Sequence, residues 1–322
     1  MTKVLVITNK SDITSDFIIR NLKKENLKFY RFNTEELTHS LELTIDFTSD
    51  KYTIFDSNKN DLIDLTSFSS VYYRRPELPK ISNVGLSDGE LKFIQNELIF
   101  SLEGTYKLLR NAYWVSPLYS IREAENKIYQ LHLAESLGFN IPKSIISNSS
   151  SDIRSFYKKN NQECIIKPIK SGLIDDGKQS KVVFTNKLKS LPSSDKKLKI
   201  SPNFLQSEIK KKGDIRVIAV GSKIFSTFID SQSGNSTKTD WRKGEMPLNH
   251  HRIELPKSLE EKCINLLRKL NLRYGAIDFI LDKSDQFIFL EINPNGQWAW
   301  IENQTGYPIS TEIVKLLKNE NF

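Results

Sequence analysis

Glu291 and Asn293 close an apolar run, Phe289-Leu290-Glu291-Ile292-Asn293, which Pro294-Asn295-Gly296-Gln297-Trp298 then breaks. In a β-strand, residues i and i+2 point to the same face. A carboxylate and a carboxamide at that spacing present two oxygens to one hard cation. Mg²⁺ suits such a pair, because it takes few protein oxygens and completes its octahedron with water and phosphate. The plain alternative is a polar strand end running into a turn. A second segment, Gly275-Ala276-Ile277-Asp278-Phe279-Ile280-Leu281, reads as a strand with one acid in an apolar run, joined to the first by Asp282-Lys283-Ser284-Asp285. With Lys283-Ser284 as the hairpin centre, Asp278 lies opposite Phe289 and diagonal to Glu291, so the three oxygen donors share a face. A bulge in either strand would change that register. Core packing does not explain the trio, since a buried unpaired acid is costly.

The elements that must hold these residues can be read from pattern. Val4–Thr8, a helix opening at Ser11-Asp12-Ile13-Thr14 and running to about Glu25, and Phe29–Phe32 form strand, helix, strand, which points to an α/β unit. Short strands are expected at 41–47, 52–55 and 71–74. Ser87-Asp88-Gly89-Glu90 is a capping box, and Leu91, Ile94, Leu98, Leu102 and Leu109 continue it at helical spacing as a core-facing stripe. Ser116-Pro117 marks a domain boundary. Two more capping boxes, Ser120-Ile121-Arg122-Glu123 and Ser258-Leu259-Glu260-Glu261, predict helices ending near Gly138 and Leu270. Strands follow from pattern at 143–146, 164–167, 181–184 and 204–209, a helix at 150–159, and a hairpin of 215–220 with 223–230 across Gly221-Ser222. The lysine-rich stretch 171–200 reads as a loop that closes over substrate.

Around the trio lie groups suited to phosphate. Lys167 ends the run Ile165-Ile166-Lys167-Pro168, and Ser171-Gly172 follow at once. Ammonium is a compact point charge, and loop N–H groups can cradle phosphate oxygens. Neither a Walker A motif nor a dinucleotide fingerprint is present. Asp214 and Arg216 share a strand face by parity. Arg216 offers a planar fork to a carboxylate or acyl phosphate, and Arg242, in Asp240-Trp241-Arg242, is a second anion ligand.

Composition bounds the rest. The chain has 322 residues and no apolar run near the roughly 18 a membrane span needs. Its two cysteines, Cys164 and Cys263, lie far apart, which argues for a reducing cytoplasm over a disulfide framework. Lys and Arg number 47 against 39 Asp and Glu, a net +8 that favours anionic partners.

Taken in order, Lys127, Lys167-Pro168, Gln206-Ser207-Glu208-Ile209, Asp214-Ile215-Arg216, Asp278 and Glu291-Ile292-Asn293 resemble the ATP-grasp ligases over about 117–315. Val71-Tyr72-Tyr73-Arg74-Arg75-Pro76 and Asn293-Pro294-Asn295-Gly296-Gln297-Trp298-Ala299-Trp300-Ile301-Glu302 narrow the resemblance to the microviridin-type peptide maturases, the graspetide synthetases, and extend it over nearly the whole chain. The resemblance implies an α/β protein with α+β subdomains: an N-terminal α/β pre-ATP-grasp domain (1–116), a central ATP-grasp subdomain with a mobile loop (117–200) and a C-terminal one (201–322). It implies ATP and Mg²⁺, with Lys127 and Lys167 at the nucleotide, Ser171 and Gly172 in the phosphate loop, Glu208 and Ile209 at adenine and Asp214 on the ribose side. Asp278, Glu291 and Asn293 then become the Mg²⁺ ligands, and Arg216 and Arg242 face the transferred phosphate. The few glycines at 170–180 depart from the richer phosphate loop of many ATP-grasp enzymes.

The activity implied is ATP-dependent closure of side-chain ester or amide rings on a ribosomal precursor peptide, whose leader docks near the middle subdomain of a cytoplasmic homodimer. Two other readings stand beside it. One is an ATP-grasp ligase acting on a small molecule or a protein C-terminus. The other is a basic nucleic-acid-binding protein, which predicts aromatic residues interleaved with a basic patch and no clustered metal ligands.

Overall fold

The computed structural model describes residues 2–79, 81, 85–170, 172–175, 180–234, 237–244 and 248–318. Two compact units divide the chain. The first holds the residues up to Leu118, Gln297–Glu302 and the chain from Pro308; the second holds Tyr119–Gly296 and Asn303–Tyr307. The sequence pattern expects a C-terminal subdomain over 201–322; in the structure Gln297–Glu302 and the chain from Pro308 group with the N-terminal unit.

The first unit is built on a parallel sheet in the order Lys28–Asn33, Lys3–Thr8, Ser70–Tyr73, Tyr113–Trp114. Val4 to Ile7 are all buried, as expected of a parallel strand covered on both faces. Helix Ile13–Lys24 starts at Asp12, whose carboxylate accepts the Ser15 N–H. An antiparallel meander, Leu41–Asp46, Lys51–Asp56 and Asp61–Asp64, joins the same core. Trp298 is fully buried here, edge-on to Phe17. Burial pushes the Tyr72 phenol up, and Arg74 and the Trp298 indole oppose that shift. Tyr72 and Arg74 of one segment that narrowed the resemblance and Trp298 of the other therefore meet inside this unit. The Ser87 capping box forms as read and opens helix Asp88–Leu108. Of the expected apolar stripe only Leu102 and Leu109 are buried.

The second unit holds two antiparallel sheets. The smaller runs Asn186–Lys187, Cys164–Lys167, Asn203–Ser207, Ser144–Ser147. Ile153 and Leu198, from helices Ser150–Lys159 and Asp195–Lys199, cover one face by packing on Leu205. Parity leaves Lys167, Phe204 and Gln206 on the other. The larger runs His250–Arg252, Lys223–Ile229, Lys211–Val220, Tyr274–Asp282, Phe287–Asn293. Val220 pairs with Lys223 across Gly221, which takes φ +56°, as the expected hairpin requires.

Two helix starts differ from expectation. Ser120 lies inside helix Leu118–Ala124, and the next helix, Lys127–Ser136, begins at Asn126, whose side chain accepts the Ile128 and Tyr129 N–H groups. Ser258 is likewise internal to Lys257–Lys269, which follows Pro256 with no side-chain cap. An amide or a proline at the right backbone position outcompetes a box pattern that falls inside the first turn. Of the expected lid, Leu173–Asp175 pairs with Ser180–Val182, and residues 171 and 176–179 lie outside those described.

Candidate active site

The hairpin brings the acids together by a route the sequence did not indicate. Phe279 pairs with Phe289, but Asp278 pairs with Glu291, so Leu290 is an extra residue in the ladder. Asp278 therefore faces Glu291 directly, not Phe289. The expected two-residue turn is also absent. Asp282 donates its N–H to the Gln286 carbonyl, its carboxylate accepts the Ser284 and Gln286 N–H groups, and Asp285 takes φ +62°. This loop is one residue longer than the predicted one. By itself it would turn Glu291 and Asn293 onto the other face, because a one-residue slip reverses every side chain. The bulge at Leu290 restores the face. Asn293, opposite Ala276, follows one step along.

Across this face a row of charge forms. Arg216 pairs in register with Asp278, and its Nη1 donates to both carboxylate oxygens at 2.9 and 2.8 Å. Glu291 comes next in the row. Two carboxylates directly opposed repel, and cations surround them. Lys127 Nζ lies 3.2 Å from Glu291 Oε2, and Arg242 Nη1 lies 3.5 Å from Oε1. Burial alone would raise Glu291, but Lys127, Lys167 and Arg242 outweigh it and hold the carboxyl at about 2. Burial pushes Asp278 up, with Arg216 opposing. Lys167 is buried with its Nζ 4.8 Å from the centre of the Phe204 ring, and desolvation pushes it down to about 8.

Backbone supports these side chains. Lys127 opens its helix and also donates to the Pro168 carbonyl at 3.2 Å. Gly296 allows the turn after Asn293 to close on the row, since a Cβ there would stand 2.6 Å from Arg216 Nη2 and collide with Ala276. Asn293 Oδ1 accepts the Asn295 N–H at 2.9 Å and keeps its second lone pair for another partner.

The site thus gathers Lys127, Lys167, Arg216, Arg242, Asp278 and Glu291, with Asn293 beside them. Glu208 and Ile209 lie apart, in the link between the two sheets. The Glu208 carboxylate is paired with Lys187 at 2.5 Å and its N–H is taken by the Glu163 carbonyl. Asp214 shares the face of Arg216, but it is buried and bonded to Lys211 at 2.6 Å. Gly172 sits at the base of the small hairpin, where a Cβ would collide with the Val183 carbonyl, which is reason enough for a glycine. Ser171 lies outside the described residues.

Two residues were missed. Asp240 is buried and chelates Arg242 through Nε and Nη2 at 2.8 and 3.0 Å. Its place beside Arg242 in sequence was the available signal. Gln130 is buried on the Lys127 helix and bonds both backbone groups of Ile292; nothing local marks it.

The donor set of two carboxylates and a carboxamide fits Mg²⁺, which keeps waters and phosphate in its shell. Among the described residues no group of three or more His, Cys, Asp or Glu side chains is arranged to hold a metal. The cations on Glu291 and Asp278 occupy the same oxygens a divalent ion would use.

Comparison with known proteins agrees. Residues 3–122 match the MvdD pre-ATP-grasp domain and residues 124–317 the RimK-like ATP-grasp domain. The chain belongs to the RimK-like ATP-grasp family, and it is an ADP-forming ligase of that fold. It is similar to a RiPP-associated ATP-grasp ligase of Chryseobacterium gregarium solved with ADP and a leader and core peptide (28% identity, TM-score 0.90, 100% of this chain and 98% of that one). It is also similar to macrocyclase MdnC of Microcystis aeruginosa MRC, bound with precursor peptide MdnA (25%, TM-score 0.85, 99% and 100%), and to macrocyclase MdnB of the same organism (26%, TM-score 0.81, 98% and 99%). The resemblance to microviridin-type maturases is borne out. No curated protein matches the chain. No helix among the described residues is long and apolar enough to cross a membrane.

Proposed function

We propose that this protein is an ATP-dependent macrocyclase that closes side-chain esters on a ribosomal precursor peptide, acting in the cytoplasm as a homodimer. The observation that carries the reading is the row Arg216–Asp278–Glu291, ringed by Lys127, Lys167 and Arg242. Facing carboxylates amid four cations suit a site that takes up a divalent ion and a polyphosphate together. The relatives support a peptide as the other substrate, since two of them are described with precursor or leader and core peptides.

In this reading Asp278, Glu291 and Asn293 hold Mg²⁺, which neutralises phosphate charge and polarises the transferred phosphoryl group. Lys127 and Lys167 bind the phosphates, and the Glu208 carbonyl and Ile209 N–H read the adenine edge. A Glu or Asp carboxylate of the peptide attacks the γ-phosphorus of ATP, breaking its bond to the bridging oxygen and releasing ADP. A Thr or Ser hydroxyl then attacks the acyl carbon, losing its proton as phosphate departs. Arg216 and Arg242 present fixed N–H groups to the charge that develops on the phosphoryl and acyl oxygens, the kind of preorganised stabilisation that contributes most to such steps. Asp240 keeps Arg242 in place.

The test is incubation of the protein with ATP, Mg²⁺ and the precursor encoded beside it, followed by mass spectrometry. Loss of one water per ring, reversed by mild alkali, is expected. ADP release with no water lost from the peptide would sink the reading, and an alkali-resistant ring would make the product an amide.

A further inference from the structure

The strand Phe287–Asn293 lies at the edge of its sheet and is laddered on one side only, to Tyr274–Asp282. An edge strand turns backbone N–H and C=O groups outward, and these need partners when buried. Ile292 is such a residue, 2% exposed, and the Gln130 amide answers both of its groups. Gln130 Nε2 donates to the Ile292 carbonyl at 2.8 Å, and Oε1 accepts the Ile292 N–H at 3.1 Å. The second Nε2 proton goes to the Ala124 carbonyl at 2.5 Å. One side chain thus does the work of a residue in a further strand.

The place where this happens matters. Ile292 stands between Glu291 and Asn293, just past the extra residue Leu290. Before the bulge the strand is held from outside by the Asn140 carbonyl, which accepts the Phe289 N–H at 2.8 Å. After the bulge Gln130 holds it. These two attachments bracket Leu290. Were the extra residue lost by a slip, Glu291 and Asn293 would move to the opposite face, away from Asp278. A leucine at 130 would fill space between helix and sheet, but it would pin no register. Lys127, one turn earlier on the same helix, contacts Glu291 itself.

We infer that Gln130 is a positioning residue: it fixes the register of the strand after the bulge and so keeps Glu291 and Asn293 aimed with Asp278 at one point. The inference rests on the reading of those three residues as the Mg²⁺ site.

Gln130→Met keeps length and volume and removes every hydrogen bond. The experiment is calorimetric titration of a non-hydrolysable ATP analogue with Mg²⁺ and with chelator, for wild type and variant. Orienting residues of this kind cost about 10–100-fold in metal affinity when removed. The gain in nucleotide affinity that Mg²⁺ confers should therefore fall at least ~10-fold in the variant, while the Mg²⁺-free affinity stays within about 2-fold. A folded Gln130→Met that keeps the full Mg²⁺ gain, whatever its melting temperature, would overturn the inference. If the wild type itself shows no Mg²⁺ gain, the metal reading fails, and that outcome is visible before any variant is made. Hydrogen exchange in the wild type needs no variant. The Ile292 amide should be protected like that of Ile277 in the adjacent strand, and free exchange would rule out the clamp.

Discussion

Strand Lys211–Val220 carries two buried ion pairs only a turn of the pleat apart, and they differ in kind. Lys211–Asp214 is closed. The partners lie at 2.6 Å, 4% and 7% exposed, and Ser231 adds a second hydrogen bond to Asp214. Arg216–Asp278 has the same depth and nearly the same length, 2.8 Å. Yet it is open, because Asp278 faces Glu291 and Glu291 leads on to Lys127 and Arg242. Burial pushes both aspartates up. Depth and pairing therefore do not tell the two acids apart. What does is that Asp278 faces a second carboxylate in register, while Asp214 stands between Ile229 and Ile280.

The largest effect is expected at Glu291. Glu291→Gln keeps the shape and removes one of two facing charges, so the protein should fold while ADP formation falls by at least ~10³-fold. A coupled ADP assay alongside a melting curve checks this. Sustained turnover would show that the open row is only structure.

Arg216→Lys should come next. It leaves a cation beside Asp278 but loses the planar fork. A drop in turnover of about 10²-fold, with nucleotide affinity changed only a few-fold, is the pattern of a group felt in the transition state. Equal losses in both would place Arg216 in binding alone.

The contrast between the two pairs was only half legible in the sequence. Parity put Asp214 and Arg216 on one face, and the order of motifs singled out Asp278, Glu291 and Lys127. Strong local patterns also gave Ser150–Lys159 and Cys164–Lys167 at their observed bounds. Parity says nothing of partners, however. Lys211, in the run Lys210-Lys211-Lys212, looks like surface charge yet is buried on Asp214. The acids do share a face, but the two-residue turn that predicts it does not form. The longer loop at Asp285 and the bulge at Leu290 each shift the register by one residue in the same direction, and the two-residue sum restores the face while moving Asp278 from Phe289 to Glu291. Leu290 sits in an unbroken apolar run, so no local pattern reveals that the ladder skips it. Gln130 is invisible for a similar reason: helical period gives the buried face, not which backbone the buried amide will meet.

On the cation side, Lys167 is buried. Desolvation holds it at about 8, well below an exposed lysine. Bound phosphate favours the charged form, so nucleotide binding takes up a proton once the free site begins to lose it. Affinity should be level below pH 8 and weaken by up to ~10-fold per pH unit above it. Titration of an ATP analogue between pH 7 and about 9.5 measures this, and Lys167→Met should flatten the slope. An unchanged slope in that variant would assign the proton to another group.

The smallest effect on catalysis belongs to the closed pair. Asp214→Asn leaves Lys211 charged, 4% exposed and without its carboxylate. Removing one partner of a buried pair costs about 3–5 kcal/mol, so the variant should melt early. Its turnover and nucleotide affinity per folded molecule should nonetheless change only by about a few-fold, because Asp214 bonds Lys211 and reaches the row only through its charge on Asp278. Replacing both members, Lys211→Met with Asp214→Leu, removes the stranded charge and should recover much of the lost stability, since apolar pairs often serve as well as buried ions. Paired melting and binding measurements separate the two terms. If Asp214→Asn instead weakens nucleotide binding at temperatures where the protein is fully folded, Asp214 reaches the ribose after all, and the closed pair is an open one that happens to be shut when the nucleotide is absent.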